Sequence, residues 1–136
     1  MNNAQRNGTR GYVASRPFLG NRTAQHIQNI VIRDYCQRNQ LHYLLSITEY
    51  AMPQCFMGLE QLLEEASILE GFCCFSLFML PENKTVRLGI YQRALAAGCP
   101  IHFAAENTAI YNQDDIDRIE DIWLVHHIMG QKQALF

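Results

Sequence analysis

Short apolar runs alternate along the chain with longer segments in which apolar residues return every three or four positions. A short apolar run bounded by turn residues fits a strand, and the 3.6-residue period fits a helix with one buried face. "GYVAS" (11–15) predicts a first strand. From Thr23 onward Ile27, Ile30, Val31 and Tyr35 keep helical spacing, with Asn21 or Thr23 as the N-cap. "LHYLLSI" predicts a second strand. Met52-Pro53 then opens a second helix, since proline loses nothing in a first turn, and Phe56, Leu59, Leu62, Leu63 and Ala66 form its inward stripe.

"GFCCFSLF" is apolar without alternation, as expected of a central strand covered on both faces. Asn83 is placed to cap a third helix with Val86, Ile90 and Ala94 inward, and Gly98 to stop it in the left-handed conformation. "CPIHFAA" predicts a fourth strand. Asn112, followed by Asp114 and Asp115 where carboxylates favour a helix start, predicts a last helix carrying Ile116, Ile119, Trp123 and His126 inward. Such alternation implies an α/β fold. It should be a three-layer sandwich around a mostly parallel four- or five-stranded sheet, flavodoxin-like or resolvase N-terminal-like in strand order. The expected organisation is a flexible tail over 1–9, one domain over 10–130 and a second tail over 131–136.

Composition changes this picture only at its edges. A chain of 136 residues with 49% hydrophobic and 18% charged residues has room for one core. A formal net charge of -2 provides no field for a nucleic-acid backbone, so no nucleic acid is expected as a partner. The longest apolar run is half a membrane span and the first ten residues are polar, which points to a cytoplasmic protein without a membrane partner. The five cysteines form no CxxC pair, so reduced, buried thiols are expected.

Ligands of open α/β sheets bind beyond the carboxyl ends of the strands, where strand order reverses. Four strand ends run into polar residues there: Ser15-Arg16, Thr48-Glu49-Tyr50, Ser76 and Glu106-Asn107. A helix beginning near Thr23 turns free N–H groups toward the first of these, and Arg16, Arg22 and Gln25 complete an expected pocket for phosphate or carboxylate. Ser15 is a candidate nucleophile with His26 or Glu49 as base; it equally suits hydrogen bonds to backbone at the strand end. Glu49 could serve as general base or bind a sugar hydroxyl, and a salt bridge to Arg16 or Arg22 is the alternative. Tyr50 could stack on a ligand ring, with Ser76 and Glu106 on the same rim. Phe18 and Phe78 could wall the pocket. His42 and His102 read as structural. His126 and His127 point to different helix faces, so no metal is expected. Neither GxGxxG nor GxxxxGK[ST] occurs, and no cofactor is expected.

The stretches "GYVASRPFLGNRTAQHIQNIVIRDYCQRN", "LLSITEYAMPQCFMGLEQLL", "FSLFMLP" and "EDIW" resemble the sporadic carbohydrate cluster protein family of bacteria, from Arg10 to Trp123. The resemblance implies a place in a cluster for surface carbohydrate or secondary-metabolite synthesis. A more distant likeness is to the catalytic domain of serine recombinases, with Ser15 as counterpart of the strand-end serine and "AAGCPIHFAAEN" similar to a recombinase strand and turn. Val13 stands where recombinases place an arginine, and "SLFMLPENK" replaces their arginine cluster. That likeness implies the fold and the location of a serine-centred site, without recombination.

Two functions follow as expectations. One is a small enzyme or ligand-binding enzyme component that holds an anionic, sugar-like substrate at the strand rim. The other is a non-catalytic protein that docks with or stabilises a partner biosynthetic enzyme through an exposed face of the fourth or last helix. Either would suit a homodimer formed through apolar helix faces.

Overall fold

A computed structural model describes residues 6–18 and 22–134, with side chains as far as 130. Five strands and four α-helices follow in the order β1 (Thr9–Ala14), α1 (Gln25–Arg38), β2 (Tyr43–Glu49), α2 (Met57–Glu64), β3 (Gly71–Cys74), α3 (Lys84–Ala96), β4 (Ile101–Phe103), β5 (Thr108–Ile110) and α4 (Gln113–Ala134). The sheet order is β2-β1-β3-β4-β5. The first four strands pair in parallel, and β5 returns antiparallel to β4 after a tight turn in which Asn107 takes a positive φ of 52°. This is the mostly parallel α/β sheet expected, with order reversing between β1 and β3.

Side chains alternate across the sheet. Tyr12, Ala14, Phe72, Cys74, Ile101 and Phe103 join the buried residues of α2, α3 and α4 in one cluster. Val13 and Cys73 point the other way and pack with Ile32, Tyr35 and Cys36 of α1. Burial of β3 on both faces accounts for its unbroken apolar run. Gly11 is demanded by a neighbour, since a Cβ there would collide with the Ser46 hydroxyl of β2. Asn83 accepts the Val86 N–H at 3.0 Å and Gly98 takes a φ of +74°, both as expected of the ends of α3.

Several expectations are corrected. On α1 the buried residues are Gln28, Ile32, Tyr35 and Cys36, while Ile27 and Ile30 are exposed. Thr23 makes no side-chain cap, Ala24 occupies the cap position, and Asn21 lies outside the described residues. The second helix begins at Met57 rather than at Met52-Pro53, which form an exposed turn. Val86 is exposed, and Arg87 takes its place facing inward. His126 is exposed too, leaving Ile116, Ile119 and Trp123 as the inward residues of α4.

β1 starts at Thr9, and the Arg6 guanidinium donates to the carbonyls of Ala66, Leu69, Ala97 and Gly98. α4 continues to Ala134. The rest of both tails lies outside the described residues. Among those described, no helix is long and apolar enough to cross a membrane.

Candidate functional site

Gln28, which hydropathy alone would leave on the surface, organises the rim. It is completely buried on α1. Its Oε1 accepts the Ala14 N–H at 3.1 Å, and its Nε2 donates to the Ala14 carbonyl at 2.7 Å and the Thr23 carbonyl at 2.8 Å. The amide thus acts as a surrogate strand at the last residue of β1, satisfying both backbone groups and fixing the peptide that leads into Ser15. Ser15 is half-buried.

The start of α1 faces the same loop. Ala24 contributes no side-chain cap and no acidic residue occupies the first turn. The Ile27 and Gln28 amides donate to the Ala24 carbonyl at 3.0 and 3.1 Å, whereas the Gln25 and His26 amides have no partner among the described residues. Gln25 is half-buried and Arg22 and His26 are exposed. Two free N–H groups, the positive end of the helix dipole and a nearby guanidinium favour a negative guest.

Other expected site residues are occupied within the fold. Glu49 is 1% exposed. Its carboxylate accepts the Gly58 N–H at 2.8 Å, the Leu59 N–H at 3.1 Å and the Tyr12 hydroxyl at 2.7 Å, so it caps α2 instead of facing Ser15. Burial, reinforced by that bond to Glu49, pushes the Tyr12 phenol far above its ordinary range. The alternative role for Glu49, a salt bridge to Arg16 or Arg22, is not found among the described residues.

Arg16 donates from Nη1 to the carbonyls of Cys55 (2.5 Å) and Tyr50 (3.3 Å) and stacks on Phe56 at 4.6 Å, tying the end of β1 to the loop before α2. Its Nη2 is buried with no hydrogen-bond partner among the described residues. Ser76 donates to Glu106 at 2.7 Å, and Glu106 accepts the Leu77 N–H at 2.9 Å, closing a 3-10 turn over Leu77–Met79. Tyr50 is 57% exposed. Ser15 has no hydrogen bond to His26 or Glu49 among the described residues, so the acid–base set expected around it is not assembled. Phe18 packs edge-on to Phe75 at 6.0 Å, while Phe78 lies away against Trp123 and His126.

His102 is structural, as its sequence setting suggests: it is buried, with Nδ1 2.8 Å from the Tyr35 hydroxyl. Four of the five cysteines are buried and Cys55 is half-buried. Among the described residues no group of three or more His, Cys, Asp or Glu is arranged to hold a metal.

The fold is similar to that of a resolvase-family site-specific recombinase from Streptococcus pneumoniae, with a TM-score of 0.63 over 93% of each chain at 10% identity. That likeness shows a resolvase-like α/β fold. No family model matches the sequence, so the resemblance to the sporadic carbohydrate cluster family rests on the quoted stretches alone. No curated protein matches it either.

Proposed function

We propose that this protein binds a small phosphate- or carboxylate-bearing metabolite in front of α1, held by the Gln25 and His26 amides, Arg22 and the Ser15 hydroxyl. The observation that carries the reading is the uncapped first turn of α1, directed at the end of β1 beside the point where strand order reverses. Since Glu49, Ser76 and Glu106 are spent on capping, the reading is a ligand-binding component rather than an enzyme with a serine nucleophile. A sugar phosphate is the guest that the resemblance to carbohydrate-cluster proteins suggests.

Titration of 15N-labelled protein with a hexose phosphate tests it. Saturable shifts are expected at the Ser15, Gln25 and His26 amides, with affinity falling about tenfold in Arg22→Ala, the loss of one charge-assisted contact. The neutral hexose should leave those amides unmoved. Shifts spread elsewhere, or an unchanged affinity in Arg22→Ala, would refute the assignment.

A second reading, a non-catalytic docking protein, is favoured by one observation. The outer face of α4 carries Ile122, Val125, Ile128 and Met129, all exposed.

A further inference from the structure

Between α1 and the sheet, the smaller core holds two cysteines that the proposed anion site does not use. Cys36 belongs to the last turn of α1 and Cys73 to the central strand β3, and both sit among Val13, Ile32, Tyr35 and Ala104. Their thiols share a hydrogen bond. The other three cysteines are directed elsewhere. Cys74 joins the larger core on the opposite face of the sheet. Cys55 turns its thiol to Glu49 at 3.8 Å, and Cys99 to the Pro100 carbonyl at 3.9 Å.

A thiol reacts as its thiolate, and two thiols joined by a hydrogen bond divide the roles of attacker and proton donor. The bond from Cys73 draws the Cys36 thiol below its ordinary range, against the opposing effect of burial. The same bond, together with burial, pushes Cys73 far above its own. Both side chains are buried while α1 is fully wound. Cys36 lies two residues from the end of that helix, however, and helix ends open locally far more readily than the whole fold. The chain leaves α1 through Gln40, whose φ of 58° is unfavourable to a residue with a Cβ, so this end is the weak one.

We infer that Cys36 and Cys73 form a reversible disulfide under hydrogen peroxide, tying the end of α1 to the centre of the sheet. When the last turn opens, the Cys36 thiolate attacks one peroxide oxygen and the O–O bond breaks. Hydroxide departs, takes up the thiol's proton and becomes water, leaving a sulfenic acid on Cys36. When the turn closes, the Cys73 sulfur attacks the Cys36 sulfur and the S–O bond breaks. The Cys73 proton leaves with that oxygen as a second water. Two thiols are oxidised and one peroxide is reduced, and a dithiol reverses the bond by exchange. The tie lies at the opposite end of α1 from the proposed anion site and does not depend on it.

The test exposes the reduced, folded protein to hydrogen peroxide, alkylates the remaining thiols after denaturation, and weighs the protein and its fragments cut after glutamate. The wild type should lose two hydrogens and two of its five alkylatable thiols, with the fragment carrying Cys36 joined to the fragment 71–82. Dithiothreitol should restore all five. Cys74→Ala should keep the link, and Cys73→Ala should abolish it; Cys36→Ala, at the helix end, gives the same reading if Cys73→Ala does not fold. The oxidised wild type should unfold at a higher urea midpoint than the reduced protein. Oxidation confined to Cys55, with Cys36 and Cys73 still alkylated, overturns the proposal. So does a link that survives in Cys73→Ala, or an oxidised midpoint no higher than the reduced one.

Discussion

His102 is 2% exposed in the three-residue strand β4, its Nδ1 bonded to the Tyr35 hydroxyl at 2.8 Å. Burial lowers its pKa from an ordinary 6.5 to about 4. Above pH 6.5 the ring is neutral in both the folded and the unfolded chain, so the full stability is present there. Between 6.5 and 4 the unfolded chain takes up a proton that the folded chain refuses, and stability falls as the pH falls. The shift corresponds to about 3 kcal/mol at most across that window. Urea unfolding at pH 7 and at pH 4.5 should therefore show a loss of midpoint that is smaller in His102→Gln. An identical pH dependence in both proteins would mean that this histidine is protonated in the folded state.

At the scale of elements, the same rim residues that look reactive in the sequence turn out to terminate helices. Glu49 ends β2 and accepts two amides from the start of α2, nine and ten residues further on, together with the Tyr12 hydroxyl of β1. Glu49→Ala would strand those donors in a buried place, at about 1 kcal/mol each and about 3 kcal/mol together. Urea unfolding should register that loss; a change under about 0.5 kcal/mol, the size of an ordinary surface substitution, would exclude the capping role. The strands and most helices were legible because buried parallel strands read as apolar runs and helices as a 3.6-residue period. The face of α1 was misread because hydropathy favours Ile27 and Ile30, whereas the strand end needs the hydrogen bonds that Gln28 makes. β5 leaves no mark in the sequence, because three residues after a tight turn carry no period. The polar strand ends are legible in the sequence, but their partners are not: Ser76 meets Glu106 thirty residues away, and Arg16 meets Cys55 thirty-nine away. Such pairings exist only once the sheet has formed.

For the whole molecule, α4 decides how much apolar surface is left without cover. It is 22 residues long, about 33 Å, and its core-facing residues end at Trp123. Along its outer face Ile122, Val125 and Met129 repeat at intervals of three and four, the spacing of a two-helix seam, and all are exposed. A polar exterior would be expected on a helix that faces only water. Pairing of this stripe with its symmetric copy is the simplest cover, since a two-fold axis near Val125 matches the patch to itself. A seam of so few turns buries less than the roughly 800 Å² per partner of a tight complex, so the dimer should dissociate in the micromolar range. Light scattering coupled to size exclusion should show mass rising toward the dimer with concentration, and Val125→Asp should hold the protein monomeric with unchanged unfolding. If the wild type stays monomeric at high concentration while Val125→Asp gains solubility, the stripe serves a different protein, as the docking reading holds. If neither changes, the exposed stripe is covered by nothing and that reading falls with the dimer.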